Sequence, residues 1–296
     1  MTSIQTILAA TDFSEDADRA AHRAALLAAG HGARLRLLHV VQTDALEELR
    51  TRLGLAADVK DRLSEDAGRR LAAIAEKLQK ASNVQAECVV RSGRVRDEIL
   101  AEADHADLLV VGAHGTSRTR EALLGTVADR MLYLGRRPIL VVRNDPVKDY
   151  AKVLVPVDFS VHSIAALQFA RRLAPDAQLH VFHAHSDRSE GTLFLADAPR
   201  EALEKHRSAS RNAALENVTG LVGKALPGDP RVTWSVDDGD AKFLISEEAK
   251  RQGADVIVMG KHGHSLLSEL FLGSSTHATV ARAHCDVAVV PQDPRI

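Results

Sequence analysis

Two sets of glycines carry the clearest chemical pattern in this chain. Gly112, Gly115 and Gly125 are separated by two and then nine residues, and Gly260, Gly263 and Gly273 repeat that interval. Each set starts directly after an apolar run, Leu108 to Val111 in the first copy and Val256 to Met259 in the second. Thr126 and Val127 follow the last glycine in one copy, Ser274 and Ser275 in the other, and a segment of helical character comes next. Backbone without Cβ atoms can bring successive N–H groups against an anion. A hydroxyl residue opening a helix adds unpaired N–H groups and the positive end of the helix dipole. The spacing therefore predicts two donor arms around a polyphosphate. A steric reading stays open beside it, in which the glycines only shape tight turns copied by duplication.

Other chemistries find less support. There is no G-x-x-x-x-G-K-[ST] run, so a P-loop with its phosphate-bridging lysine is absent. No G-x-S-x-G elbow marks a hydrolase nucleophile, and no pair of carboxylates can be assigned acid and base roles. Any hydrolysis is expected to be slow. Histidine is abundant at 14 residues, and "HVFHAH" puts His183 and His185 on one side of a strand with His180 on the other. A closed zinc site needs four ligands whose partners are not evident, so ordinary strand-end histidines are the expectation and no metal site is assigned.

The elements that must hold these residues come in two copies. "ILAATDFSEDADRAAHRAALLA" from Ile7 matches "VLVPVDFSVHSIAALQFARRLA" from Val153 without a gap, placing Asp12 on Asp158 and Ser14 on Ser160. "ARLRLLHVV" matches "AQLHVFHAH", and "ADLLVVGAHG" matches "ADVIVMGKHG", in the same order. A duplicated domain follows, with boundaries expected at residues 1–146 and 147–296. Strands are predicted at 7–11, 35–40, 86–91, 108–111 and 139–142, and again near 152–157, 179–183, 232–236, 256–259 and 287–290. Their apolar runs lack polar alternation, as in parallel strands covered on both faces. Leu63, Ala67, Leu71, Ile74 and Leu78 recur at helical spacing and need a sheet to cover. The class is α/β, open and doubly wound, and ligands in such sheets sit beyond the carboxyl ends of the strands. The last strand of each half is very apolar for a sheet edge, which predicts that 139–142 and 287–290 meet across an internal pseudo-twofold.

Composition excludes several partners. Formal net charge is −2 and aromatics make up 3% of the 296 residues, which argues against nucleic acid as the main ligand. Only Cys88 and Cys285 are present, which fits a reducing compartment, and neither a signal peptide nor a membrane-spanning run is legible. A soluble cytoplasmic protein without a membrane partner is expected. The segments from Glu47 to Asp66 and from His185 to Ser210 diverge most between the halves, and read either as a cover over the site or as tolerated surface insertions.

The G-x2-G-x9-G-[ST] spacing, the openings "ILAATDFS" and "VLVPVDFS", the strand "LLHVV", the block "ADLLVVGAHG" and the closing "RRPILVV" resemble the universal stress protein family in its tandem form. The resemblance covers nearly the whole chain. It implies a Rossmann-like, HUP-type fold: two five-stranded parallel sheets of order 3-2-1-4-5, paired through their fifth strands as an intrachain pseudo-dimer, with further self-association left open. It also implies ATP binding, with which Mg2+ is compatible, and a nucleotide-responsive role under stress. By the family pattern Asp12 and Asp158 stand at the nucleoside end, and the backbone at Val41, with His185 in the aligned place, borders the adenine. Gly112, Gly115, Gly125, Thr126 and Val127 line the phosphates in one half, and Gly260, Gly263, Gly273, Ser274 and Ser275 in the other. The residue after the second glycine, often basic in the family, is Thr116 in one copy and His264 in the other, with Arg118 or Lys261 as alternative sources of charge. A scaffold that keeps the paired fold and works through protein contacts is the alternative reading.

Overall fold

The structure, a computed structural model, describes residues 3–43, 58–115, 124–186, 199–263 and 272–291. The chain forms two compact units divided between Asp149 and Tyr150.

The first unit contains β1 (Thr6–Ala10), α1 (Glu15–His31), β2 (Arg34–Gln42), α2 (Val59–Ser82), β3 (Ala86–Gly93), α3 (Val95–Ala103), β4 (Leu108–Gly112), α4 (Thr126–Leu134) and β5 (Ile139–Val142). Its strands are parallel in the order β3-β2-β1-β4-β5, with Ile7 of β1 set between Leu35 and Leu108. The second unit repeats this with β6 (Lys152–Pro156), α5 (Val161–Leu173), β7 (Gln178–His185), α6 (Arg200–Ala225), β8 (Val232–Asp238), α7 (Ala241–Gln252), β9 (Val256–Gly260), α8 (Ser274–Arg282) and β10 (Asp286–Val290). Its order is β8-β7-β6-β9-β10, the same topology. Chain order reverses between β1 and β4 and between β6 and β9, which opens a crevice at the carboxyl ends of those strands.

The apolar runs become the core as their composition requires. Leu108 to Val111 and Val256 to Val258 are buried on both sides of the sheet. Helices α1 and α2 pack together on one face of the first sheet, and α3 contacts α4 on the other; α5 with α6 and α7 with α8 repeat the arrangement. The predicted stripe on α2 holds in part. Ala67, Leu71 and Leu78 are buried, whereas Leu63, in the opening turns of the helix, is 39% exposed.

Charged residues do structural work at the sheet. Asp107 accepts hydrogen bonds from the backbone amides of Gln5 and Thr6 at 2.8 and 3.0 Å, joining the start of β1 to the start of β4. Asp255 does the same for Ala151 and Lys152. Glu102 on α3 is nearly buried and receives Arg36 at 2.8 Å and Arg91 at 2.6 Å. Burial pushes its carboxyl up, and the hydrogen bonds from Arg91 and Arg36 outweigh this and hold it below the usual range. Cys88 is exposed and Cys285 buried, both as free thiols. Among the described residues no helix is long and apolar enough to cross a membrane.

Candidate functional site

Both glycine sets lie at the carboxyl rim of their sheets, and the two copies are built alike. Gly112 ends β4 and Gly260 ends β9. The next residue in each copy ties the loop to the last strand: Ala113 N–H donates to Val142 O at 3.0 Å, and Lys261 N–H to Val290 O at 2.8 Å. The third glycine then closes the loop on itself, Gly125 N–H reaching Ala113 O at 2.7 Å and Gly273 N–H reaching Lys261 O at 3.0 Å. Those glycine amides are turned inward. Gly125 and Gly273 therefore shape the loop, and the opening amides of α4 and α8, which have no carbonyl one turn back to bond, stand beside it as donors.

None of these site glycines has the left-handed backbone that favours glycine; those that do, such as Gly32 and Gly253 at helix ends, lie elsewhere. Space is the reason for glycine here. A Cβ on Gly112 would stand 2.6 Å from the main chain of Asp16, and one on Gly260 would stand 2.7 Å from the Cβ of His162, so each permits a helix start to pack onto the strand end. A Cβ on Gly115 would stand 2.6 Å from an Asp12 carboxylate oxygen, and one on Gly263 would collide with the carboxylate of Asp158. The sequence pairs these residues only as members of one pattern; in the fold they meet face to face.

Asp12 and Asp158 are held by the turns that follow β1 and β6. Asp12 accepts from Ser14 N–H at 3.0 Å, while Ser14 caps α1 through Ala17 N–H at 3.3 Å. Asp158 is bound more fully: Ser160 N–H at 3.1 Å and the hydroxyls of Ser160 at 2.6 Å and Ser163 at 2.8 Å all donate to one oxygen. Between Asp and Ser in each copy stands a phenylalanine with left-handed backbone, Phe13 at φ 63° and Phe159 at φ 66°. That conformation is costly for a bulky side chain. Ring packing holds it, Phe13 lying 4.3 Å from His39 and Phe159 4.4 Å from His183 between centroids. Each imidazole is fixed in turn through Nδ1, to Thr11 O and to Val157 O, both at 2.8 Å. Burial pushes both imidazoles below their ordinary titration range, and the hydrogen bond to the carbonyl opposes it.

In the second unit these parts enclose a cavity of about 220 Å³. Asp158, Gly260, Gly263, Gly273, Ser274 and Ser275 all line it. The apolar wall comes from Phe182, Ala184, Ile245 and Met259, none of which belongs to the glycine pattern or to the site positions that the family resemblance implies. Periodicity could have suggested Phe182 and Ala184, which alternate along β7 on the side opposite His183. His185 is outside this lining. It ends β7 with Nε2 2.8 Å from the hydroxyl of Ser210 on α6, while its neighbour Ala184 lines the cavity. His180, on the same strand, faces Thr233, Ser235 and Glu248. Among the described residues no cluster of His, Cys, Asp and Glu is arranged to hold a metal.

The first unit brings Asp12, Gly112, Gly115, Gly125, Thr126 and Val127 to the same rim. Val41 is buried near the end of β2. An open polar hollow of about 320 Å³ lies beside the loop, lined by Asp16, Arg19, His114, Arg143, Asn144 and Asp145 together with Ala113. Thr116, Arg118 and His264 lie outside the described residues, as do 47–57 and 187–198 of the divergent segments after β2 and β7.

Comparison with known proteins accords with this geometry. The model of the universal stress protein family matches twice, at residues 3–143 and 149–291. A universal stress protein of Mycobacterium bovis is 27% identical over 239 residues, covering 77% of this chain and 78% of its own. One from Mycolicibacterium smegmatis is 25% identical over 299 residues, covering 96% of each chain. The crystal structure of a universal stress protein from Archaeoglobus fulgidus superposes with a TM-score of 0.69 at 21% identity, covering 97% of this chain and 98% of that one.

Proposed function

The chain belongs to the universal stress protein family as a tandem of two of its domains, and from that premise we propose that it binds an adenine nucleotide, ATP in the first instance, and acts as a nucleotide-responsive regulator. The observation that carries the reading is the cavity of the second unit. There an apolar wall at the ends of β6, β7 and β9 runs into Gly263, Asp158 and the opening residues of α8. A flat apolar base suits the wall, and an anion suits a helix N-terminus whose amides point outward. The residues present fit such a ligand, because the missing side chain at Gly263 makes room for the Asp158 carboxylate at the rim, beside the opening residues of α8.

Roles follow from position. Gly263 leaves room for Asp158, whose carboxylate is held by the Ser160 and Ser163 hydroxyls and is available to ribose or base donors. Ser274 and Ser275 supply helix-opening amides and hydroxyls toward the phosphates. In the first unit Asp12, Gly115, Thr126 and Val127 hold the corresponding places. A bound triphosphate supplies negative charge that neutral main-chain dipoles can accept, and Mg2+ is compatible with it. Regulation would pass through whatever surface changes when these amides are engaged.

The test is direct binding. Protein denatured after purification is searched for adenine nucleotide by mass spectrometry, and the nucleotide-free chain is titrated with MgATP in a calorimeter. Released nucleotide or a saturable heat with a rise in melting temperature is expected. No nucleotide, no heat and no thermal shift would refute the proposal.

A further inference from the structure

The two copies differ at one place that bears directly on an anion. In the repeat alignment Asp16 falls on His162, and His114 of the first loop on His262 of the second. Asp16 is 6% exposed. Its Oδ2 accepts from the main-chain N–H of His114 at 3.0 Å and lies 2.9 Å from that residue's Nδ1, while Arg19 pairs with its other oxygen. A carboxylate of the protein therefore already occupies an amide of the first glycine loop. An incoming phosphate would bring a second negative charge beside it.

The second unit has no carboxylate in that position. His162 is 8% exposed, and neither of its ring nitrogens has a hydrogen-bond partner among the described residues. Its ring meets His262 edge-on with centroids 5.3 Å apart, and His262 lines the 220 Å³ cavity. Lys261 also replaces Ala113 in the loop. Aspartate to neutral histidine and alanine to lysine each add one positive charge, so the copies differ by two charges at these two positions; Glu15 and Asp18, which fall on Val161 and Ile164, widen the difference, and Arg19, which falls on Ala165, narrows it. Asp12 and Asp158 are present in both and leave the contrast intact.

We propose that the halves have unequal capacity: the second unit takes the phosphate groups of the nucleotide, while Asp16 acts as a built-in anion that closes the first loop to them, so that one chain binds one nucleotide. This rests on the nucleotide-binding reading above. The unbonded imidazole of His162 beneath the second loop is the group the first half replaces with a carboxylate, and it leaves the second rim able to accept negative charge.

Three measurements on the full chain decide it. Titration with MgATP should saturate at one equivalent per chain. Hydrogen exchange with ATP should slow at the head of α8, residues 274–276, and stay unchanged at the head of α4, residues 126–128. His162→Asp, which installs the first-half carboxylate in the second half, should weaken binding by roughly tenfold or more at a retained melting temperature. If that variant does not fold, stoichiometry and the exchange map decide alone. Two equivalents, slowed exchange at both helix heads, or unchanged affinity in a folded His162→Asp protein would overturn the asymmetry and leave the binding reading standing. No uptake of nucleotide at all would overturn both.

Discussion

At Gly115 and Gly263 the volume a side chain would fill is taken by a carboxylate. Asp158 is fixed by three donors to one oxygen, so a methyl group at Gly263 cannot be accommodated by a free swing of the aspartate; it must break hydrogen bonds. Gly263→Ala should therefore lower ATP affinity by roughly tenfold, equivalent to about 1.4 kcal/mol, with only a small change in melting temperature. Calorimetric titration and thermal melts of the same variant check this, and unaltered affinity would remove Gly263 and Asp158 from the site. Gly112 is a different case, since its absent Cβ is replaced by the main chain of α1, 2.6 Å away. Gly112→Ala should destabilise the first unit by about 1–3 kcal/mol, the usual cost of overpacking, as read from denaturant melts. Two adjacent glycines of one motif thus serve different ends, one for the ligand rim and one for the fold.

Elements were more legible in the sequence than the site was. Apolar runs without alternation fixed the strands closely because a strand buried on both faces tolerates little else, and β5 matches its predicted span of 139–142. β2 and β7 run on to Gln42 and His185, beyond their predicted ends, because β3 and β8 continue to pair with them there. The glycine spacing placed the loops at the carboxyl ends of β4 and β9, whereas only the hydrogen bonds show that the amides of Gly125 and Gly273 close the loop inward. Phe13 and Phe159 were invisible as special positions: a phenylalanine has no sequence signature for left-handed backbone, and its cost is met by a histidine on the neighbouring strand. Asp16 was likewise unremarkable in a run of helix-opening acids. The long helices carry glycines that serve no packing need: Gly68 in α2 and Gly220 in α6 have nothing near the place of a Cβ. Gly68→Ala and Gly220→Ala should each stabilise the protein by about 0.5–1 kcal/mol, visible as a higher melting temperature, and a loss of stability would show that these helices make contacts through their glycine faces.

At the scale of the whole molecule, partly or fully buried imidazoles tie stability to pH. Loss of hydration holds His39, His162, His180 and His183 below the ordinary value of 6.5. As pH falls below that value the unfolded chain takes up protons that the folded chain still refuses, so the unfolded state gains. Their contribution is complete above about pH 6.5 and declines on acidification toward the depressed folded values. The melting temperature should therefore drop between pH 7.5 and 5.5, and His183→Asn should make that slope shallower. A melting temperature that is flat or rises on acidification would contradict the assignment.

The carboxylates of Asp107 and Asp255 impose an order of events during synthesis. Each anchors backbone laid down about a hundred residues earlier, Gln5 being separated from Asp107 by 102 positions and Ala151 from Asp255 by 104. On a ribosome the central strand of each unit emerges first and must wait for most of its unit before its opening amides find their acceptor. The first unit has every such partner in hand before the second begins to appear, so the duplicated gene yields two successive folding episodes in place of one long one.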